Sequence, residues 1–269
     1  MINAHPDIVV APECGFAQWL YGKYCDWDSA CCEDEAKLNG FVTDLFASRK
    51  FETWRVSRDK VTKNIILYRP KTYSELVSLI YFTYGKKEKN RFFRWGDKNN
   101  YYMRHIELLY KVFPSSKPIL IVRDGRDVAC SYRELARKQI TSKYRPHLQV
   151  DIEKISMDWS RNNLAAVQSL KKCFGRNYYV VKYEDLVSDS VVCLKNICAY
   201  LGEPYSDEMM RYHDKAGVNE PKEFIQWKDR VLQKPVTTQV GRYRKELESK
   251  EVAAFEKKAN AALRYFNYI

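Results

Sequence analysis

The chain has 269 residues, 45% of them apolar and 30% charged, which excludes a disordered chain and leaves room for one large α/β domain. Its 46 Lys and Arg against 34 Asp and Glu give a formal net charge of +12, the sign that attracts nucleotides, nucleic acid, anionic glycans or anionic surfaces. No apolar run reaches the roughly 20 residues that a bilayer span needs.

The start, Met1-Ile-Asn-Ala-His-Pro-Asp, has neither the basic nor the long apolar region of a signal peptide. A cytoplasmic protein is expected, or one of the Golgi lumen had a targeting segment been lost. Ile8-Val-Val-Ala-Pro-Glu13 is a short apolar run stopped by Pro12. Leu38, Phe41, Val42, Leu45 and Phe46 recur at spacings of three and four, which predicts a helix. Ser74 is a candidate N-cap for a second helix carrying Leu76, Leu79, Ile80 and Phe82. Gly85–Arg91 reads as a polar loop and Phe92–Trp95 as a short strand. A helix with Met103, Ile106, Leu109 or Tyr110, and Phe113 inward follows, ended by Pro114.

Ile119–Val122 forms an unbroken apolar run, the pattern of a strand buried on both faces of a parallel sheet. It ends in Arg123-Asp-Gly-Arg-Asp127, and a helical pattern then carries Ser131. Ligands of open α/β folds bind at the carboxyl ends of such strands, and two arginines with a hydroxyl there suit an anion such as phosphate. An Arg–Asp ion-pair network that merely caps the strand is the alternative.

A long helix is predicted over about 151–174, with Ile152, Ile155, Trp159, Leu164, Val167 and Leu170 aligned and Gly175 as its stop. Tyr178–Val181 reads as a second buried strand. A helix after Ser188 ends at Leu201-Gly202, and a final one over roughly 250–265 has Ser249 as candidate N-cap. Gly217–Arg244 shows no clear period. Strands thus alternate with helices, which argues for a parallel sheet with right-handed crossovers. The eight cysteines include no C-x-x-C pair and there are four histidines, a poor basis for zinc and a better one for buried thiols.

The order of motifs resembles the sulfotransferase family. Trp95-Gly-Asp-Lys98, Phe113-Pro114, Ile119–Ser131, Val181-Lys-Tyr-Glu-Asp-Leu-Val187, Leu201-Gly202 and Val240-Gly-Arg-Tyr-Arg-Lys-Glu-Leu247 all carry the likeness. Ala4-His-Pro-Asp-Ile8 with Pro12-Glu13 looks like the family segment just after the phosphosulfate-binding loop. The flavour is that of the tyrosylprotein and bacterial carbohydrate branch.

The resemblance implies a P-loop NTPase-like three-layer α/β fold with a central parallel sheet, formed by a single sulfotransferase-like domain over residues 1–269. It implies transfer of a sulfuryl group from 3′-phosphoadenylyl sulfate (PAPS) to a hydroxyl or amine, without a metal. Glu13 would be the catalytic base and Lys98 the cation at the leaving phosphate. Arg123 and Ser131 would bind the 3′-phosphate, with Tyr183 and Arg242 also at the nucleotide. Lys98-Asn99-Asn100 lacks the proline of the family's Lys-x-Pro element, so a different turn is expected there. Arg126 reads as a structural partner of Asp124 or Asp127, His5 as a local structural residue, and Glu184-Asp185 as a loop-fixing pair.

The family's Arg-Ser-Gly-Thr-Thr-type loop and the strand before it belong upstream of His5 and are not in this sequence. The 269-residue chain alone is therefore expected to be unstable or inactive, or to bind the nucleotide without turnover. A glycan, a tyrosine or a lipid head group would serve equally as acceptor, given Trp19, Tyr21, Trp27, Trp54 and Arg55 in the expected acceptor region. A basic polyanion-binding protein is the non-enzymatic alternative. A P-loop kinase is opposed by the absence of a Gly-Lys-Ser/Thr sequence.

Overall fold

A computed structural model describes residues 1–88, 93–214 and 220–269. The chain divides into two compact units, Met1–Pro114 and Ser115–Ile269. Each contains one two-stranded parallel sheet, so the α/β class and the parallel pairing expected from the sequence are what the structure shows, with the described strands in two pairs.

In the first unit, β1 (Ile8–Val10) pairs with β2 (Arg94–Gly96) in the register Ile8↔Arg94, Val9↔Trp95, Val10↔Gly96. The Asn3 side chain accepts the Val10 N–H at 2.8 Å, and the buried His5 accepts the Asp7 N–H at Nδ1 (3.0 Å), the structural role expected of it. Helix α1 (Glu35–Ala47) buries Leu38, Phe41, Val42 and Leu45, and Asp34 caps it at the Lys37 N–H. Helix α2 covers Arg58–Tyr68 and α3 Tyr73–Glu88. The α3 cap is Thr72, whose hydroxyl accepts the Glu75 N–H at 3.2 Å, so the expected cap Ser74 lies inside the helix instead. The helix runs on through Gly85–Glu88, where a loop was expected; residues 89–92, including Phe92, lie outside the described residues. Helix α4 (Ile106–Val112) closes the unit.

The core of this unit is aromatic. Phe16, Phe51, Trp54 and Tyr81 are fully buried, and Tyr81 stacks on Trp95 with centroids 4.2 Å apart. Three-residue strands cannot hold a sheet by their own hydrogen bonds. Burial of large rings, worth about 1.5–3 kcal/mol for a side chain such as Phe, fixes β2 in place.

In the second unit, β3 (Ile119–Val122) pairs with β4 (Tyr179–Lys182), Ile119 opposite Tyr179 and Val122 opposite Lys182. The expectation that both strands are buried on two faces is corrected. Leu120, Val122 and Val181 are buried, but Ile121 is 54% and Val180 38% exposed. Period-two alternation turns successive side chains to opposite faces, and in this register each face carries a buried and an exposed member, Leu120 beside Val180 on one and Val181 beside Ile121 on the other. Helix α5 (Gly125–Arg137) follows β3 directly, capped by the Asp124 side chain at the Arg126 N–H (2.9 Å). Helix α6 (Ile152–Phe174) is the long helix of the sequence pattern, with Ile155, Trp159, Val167 and Leu170 buried and Asp151 as cap. Gly175 and Gly202 stop α6 and α7 (Ser190–Leu201) with φ of 61° and 79°, conformations that cost a side chain strain.

Helix α8 (Ser249–Tyr265) packs on α6. Its cap is Glu248, in a reciprocal capping box with Glu251, and not the expected Ser249. Gly125 sits where the two helices meet: a Cβ there would lie 2.5 Å from Trp159 and 2.6 Å from Phe255. Only glycine lets the strand-to-helix turn approach this closely. Within the aperiodic stretch, short helical turns occupy Lys222–Lys228 and Tyr243–Glu246, while Gly217 lies outside the described residues.

Candidate functional site

Each of the four strands among the described residues is followed within three positions of its carboxyl end by one sequence-predicted site residue. Glu13 follows β1, Lys98 follows β2, Arg123 follows β3 and Tyr183 follows β4. This is where parallel α/β sheets place ligand-binding groups, because the strand ends there and its loop is free to carry chemistry.

In the first unit Glu13 is nearly buried, its side chain 14% exposed. The backbone around it is stapled to the segment 49–54. The Trp54 indole donates to the Pro12 carbonyl at 2.8 Å, and the Cys14 thiol to the Arg49 carbonyl at 3.4 Å. Between those two staples Lys50 adopts a left-handed backbone (φ 74°), uncommon for a side chain of this kind, and its ammonium lies 3.2 Å from Glu13 Oε2. Lys98 Nζ lies 3.7 Å from the other oxygen, Oε1, while its own side chain stays 57% exposed. The structure thus brings Glu13 and Lys98 together, and adds Lys50.

Lys98 is itself held by the residue before it. The carboxyl of Asp97 accepts the Tyr81 hydroxyl at 2.5 Å, the Tyr102 hydroxyl, and the Lys98 N–H at 2.7 Å. Burial of the carboxyl pushes its pKa up to about 6, with the charge of Glu13 adding to the rise and the two hydroxyls opposing it. The missing proline after Lys98 is replaced by an Asn cap: Asn99 Oδ1 accepts the Tyr101 N–H at 3.0 Å and starts the helical turn Asn100–Arg104.

In the second unit Arg123 gathers its partners around one guanidinium. Nη1 donates to Ser131 Oγ at 2.9 Å, Nη2 to the Gln239 carbonyl at 2.7 Å, and the plane lies 4.7 Å from the Tyr183 ring centroid. Its Nε is buried and has no hydrogen-bond partner among the described residues. The Trp159 indole donates to the Arg123 carbonyl at 3.0 Å, and Glu184 Oε1 accepts the Asp124 N–H at 2.8 Å, the loop-fixing role expected of Glu184. Arg123, Ser131 and Tyr183 are therefore one cluster.

Arg242 stands beside this cluster in a different way. Its guanidinium donates to Glu134 (2.7 Å), to both oxygens of Glu246 (2.7 and 2.9 Å) and to the Gln239 side chain. Asp127 pins the same loop, accepting the N–H groups of Gly241 (2.7 Å) and Tyr243 (3.0 Å). Burial pushes the Asp127 carboxyl up, and those two N–H groups hold it down. Arg126 pairs with Asp124 at 2.7 Å and with Glu256, so the structural reading of Arg126 holds.

Sequence reasoning missed Lys50, Asp97 and Gln239. Lys50 gives no signal in one sequence, because its left-handed backbone follows no turn motif. Asp97 lay inside a motif already singled out, but its tyrosine partners come from α3 and from beyond the strand. Gln239 contributes a carbonyl, which residue identity does not advertise.

Charged groups thus stand at the carboxyl ends of the parallel strands of an α/β protein. The chain belongs to the sulfotransferase family, whose sequence pattern matches residues 1–207. Two solved structures are similar to it. One is the sulfotransferase domain from the curacin biosynthetic pathway, with 12% identity, 91% of this chain and 90% of that one covered, and a TM-score of 0.47. The other is the sulfotransferase domain from the Synechococcus PCC 7002 olefin synthase, with 16% identity, 94% and 93% covered, and a TM-score of 0.47. No curated protein matches the chain.

Proposed function

We propose that this protein transfers a sulfuryl group from PAPS to an acceptor hydroxyl, and that residues 1–269 act as a single sulfotransferase-like domain. The family match, which runs from the first unit into the second, supports this reading. The observation that carries it is the Arg123 cluster. A buried guanidinium N–H without a protein partner, beside a hydroxyl and an aromatic face, fits an anionic group that would take the remaining donor. Arg123 and Ser131 hold the 3′-phosphate in this reading, and Tyr183 braces the guanidinium. Arg242 acts on the nucleotide through Gln239, whose main chain takes Arg123 and whose side chain takes Arg242.

PAPS supplies an activated sulfuryl group with adenosine 3′,5′-bisphosphate as its leaving half. Sulfuryl transfer resembles phosphoryl transfer, so the protein contributes positioning and electrostatics more than covalent chemistry. Glu13 accepts the proton of the acceptor hydroxyl. Lys50 pairs with that carboxylate and aims it, and Lys98, 3.7 Å from its other oxygen, supplies positive charge to the leaving phosphate.

Titration calorimetry of the protein with adenosine 3′,5′-bisphosphate tests this. Saturable binding is expected, and Arg123→Ala should weaken it about a hundredfold, the loss of a charge-assisted pair. Absence of binding, or equal binding by the variant, defeats the nucleotide assignment. Binding without sulfate transfer identifies a relative that holds the nucleotide but does not turn over.

A further inference from the structure

The aromatic residues of the acceptor region are not equivalent once folded. Trp27 and Trp54 are buried in the core, whereas Trp19 is 40% exposed. Its indole lies against Gly15: a Cβ on that residue would stand 2.5 Å from both Cε2 and Cζ2 of the ring. Glycine thus seats the indole directly on the backbone, two residues from Glu13. A shallow groove of about 410 Å³ opens beside it, lined by Trp19, Leu20, Asp44, Ala47, Ser48 and Arg49. Two routes tie this groove to the proposed base. Gly15 leads back along the chain to Glu13, and Arg49, whose carbonyl takes the Cys14 thiol, precedes the lysine paired with Glu13.

We propose that this groove is the acceptor subsite and that it takes a neutral saccharide, an inference that rests on the reading of Glu13 as the base. The lining divides into two chemistries. Trp19, Leu20 and Ala47 offer an apolar floor for the C–H face of a sugar ring, and Asp44 and Arg49 offer polar groups for hydroxyls at its edge. Asp44 stays ionised. The Lys23 ammonium, 2.6 Å from Oδ2, and the Tyr24 hydroxyl hold its carboxyl below the usual range. Its Oδ1 takes no protein donor among the described residues, which leaves an acceptor for a ligand hydroxyl.

The same features disfavour the other acceptors. An anionic side chain or head group brings no donor to the open Oδ1 of Asp44, which only a hydroxyl or N–H can fill. The groove is open to solvent on one side, so it would not enclose the ring of a simple phenol or an acyl chain.

The test measures transfer of radiolabelled sulfate from PAPS to chitotriose, an acidic tyrosine peptide and p-nitrophenol. Chitotriose is expected to be the best acceptor. Trp19→Ala should raise its KM about tenfold, the loss of one stacking surface, with kcat changed less than twofold and bisphosphate affinity intact. Trp19→Phe, which keeps an aromatic face, should recover most of the loss. Preference for the peptide or phenol, or a KM for the alanine variant within twofold of the parent, overturns the proposal. If no acceptor turns over, chitotriose binding is followed by tryptophan fluorescence. Saturable quenching that Trp19→Ala abolishes supports the subsite, and its absence overturns it. Bisphosphate binding measured in parallel separates the two failures: intact, it leaves the sulfotransferase reading standing without the saccharide.

Discussion

The two charged clusters are built on the same strand-end plan but balance their charge differently. Around Glu13, one carboxylate meets two ammonium groups, and Asp97 next door keeps a carboxyl whose charge is expensive to bury. Around Arg123 no carboxylate is hydrogen-bonded to the guanidinium among the described residues; a hydroxyl, a main-chain carbonyl and an aromatic face surround it. The neighbouring acids are occupied elsewhere, Asp124 by Arg126 and Asp127 by the loop at Gly241–Tyr243. The first arrangement suits proton handling, and the second suits holding an anion. Keeping acids off one arginine takes as much structure as bringing a base and two lysines together.

Four changes would break or sharpen this contrast. Glu13→Gln removes the proposed base while preserving shape, and kcat for sulfate transfer should fall by about 10² to 10⁴, the usual contribution of a general base, with bisphosphate affinity unchanged. An equal loss of affinity would show that the two clusters do not divide the work.

Asp97→Asn tests the buried carboxyl through stability. Its folded pKa of about 6 stands above the ordinary 3.8, so the folded state binds more protons between those values. Stability should therefore decline as pH rises from about 4 through 6, by about 3 kcal/mol from this group. Urea midpoints across that range should show a shallower decline in the variant; parallel curves would mean that the carboxyl does not titrate there.

Ser131→Ala deletes a neutral partner of Arg123, and calorimetry should show about fivefold weaker bisphosphate binding, near 1 kcal/mol. Arg242→Ala should have the smallest effect. Its ion pairs to Glu134 and Glu246 are partly exposed and worth at most about 1 kcal/mol after solvent screening. A small fall in melting temperature is expected, with affinity within about twofold; a large loss of affinity would return Arg242 to direct contact with the nucleotide.

The sequence carried the parts of this structure that depend on local pattern. The run Ile119–Val122 and the 3.6-residue stripe of α6 were legible because each element announces itself in consecutive residues. Caps were less so. Thr72 and Ser74, or Glu248 and Ser249, each offer a side-chain oxygen that can accept an N–H and stand one or two residues apart, and the choice depends on the incoming backbone. Burial on both faces of β3 was misread because apolar residues do not reveal whether a second layer covers them. Of the candidate site, the place of Glu13, Lys98, Arg123 and Tyr183 just after strands was legible, since each follows a short apolar or aromatic run. Asp97, which meets Tyr81 sixteen positions earlier, and Arg126, which meets Glu256 130 positions later, have partners that only folding brings near.

The end of the chain touches the Arg123 loop at several points. Glu256 pairs with Arg126, the Tyr268 carbonyl accepts from Arg126 at 3.1 Å, and the Tyr268 hydroxyl donates to Glu184 at 2.8 Å. Glu184 is the residue that takes the Asp124 N–H. A two-stranded sheet is marginal by itself, so these contacts act as a latch on β3 and β4. Amide exchange in the two strands should therefore track the fraying of α8. If Arg123 holds the nucleotide as proposed, its residence time would be governed in part by residues more than a hundred positions downstream.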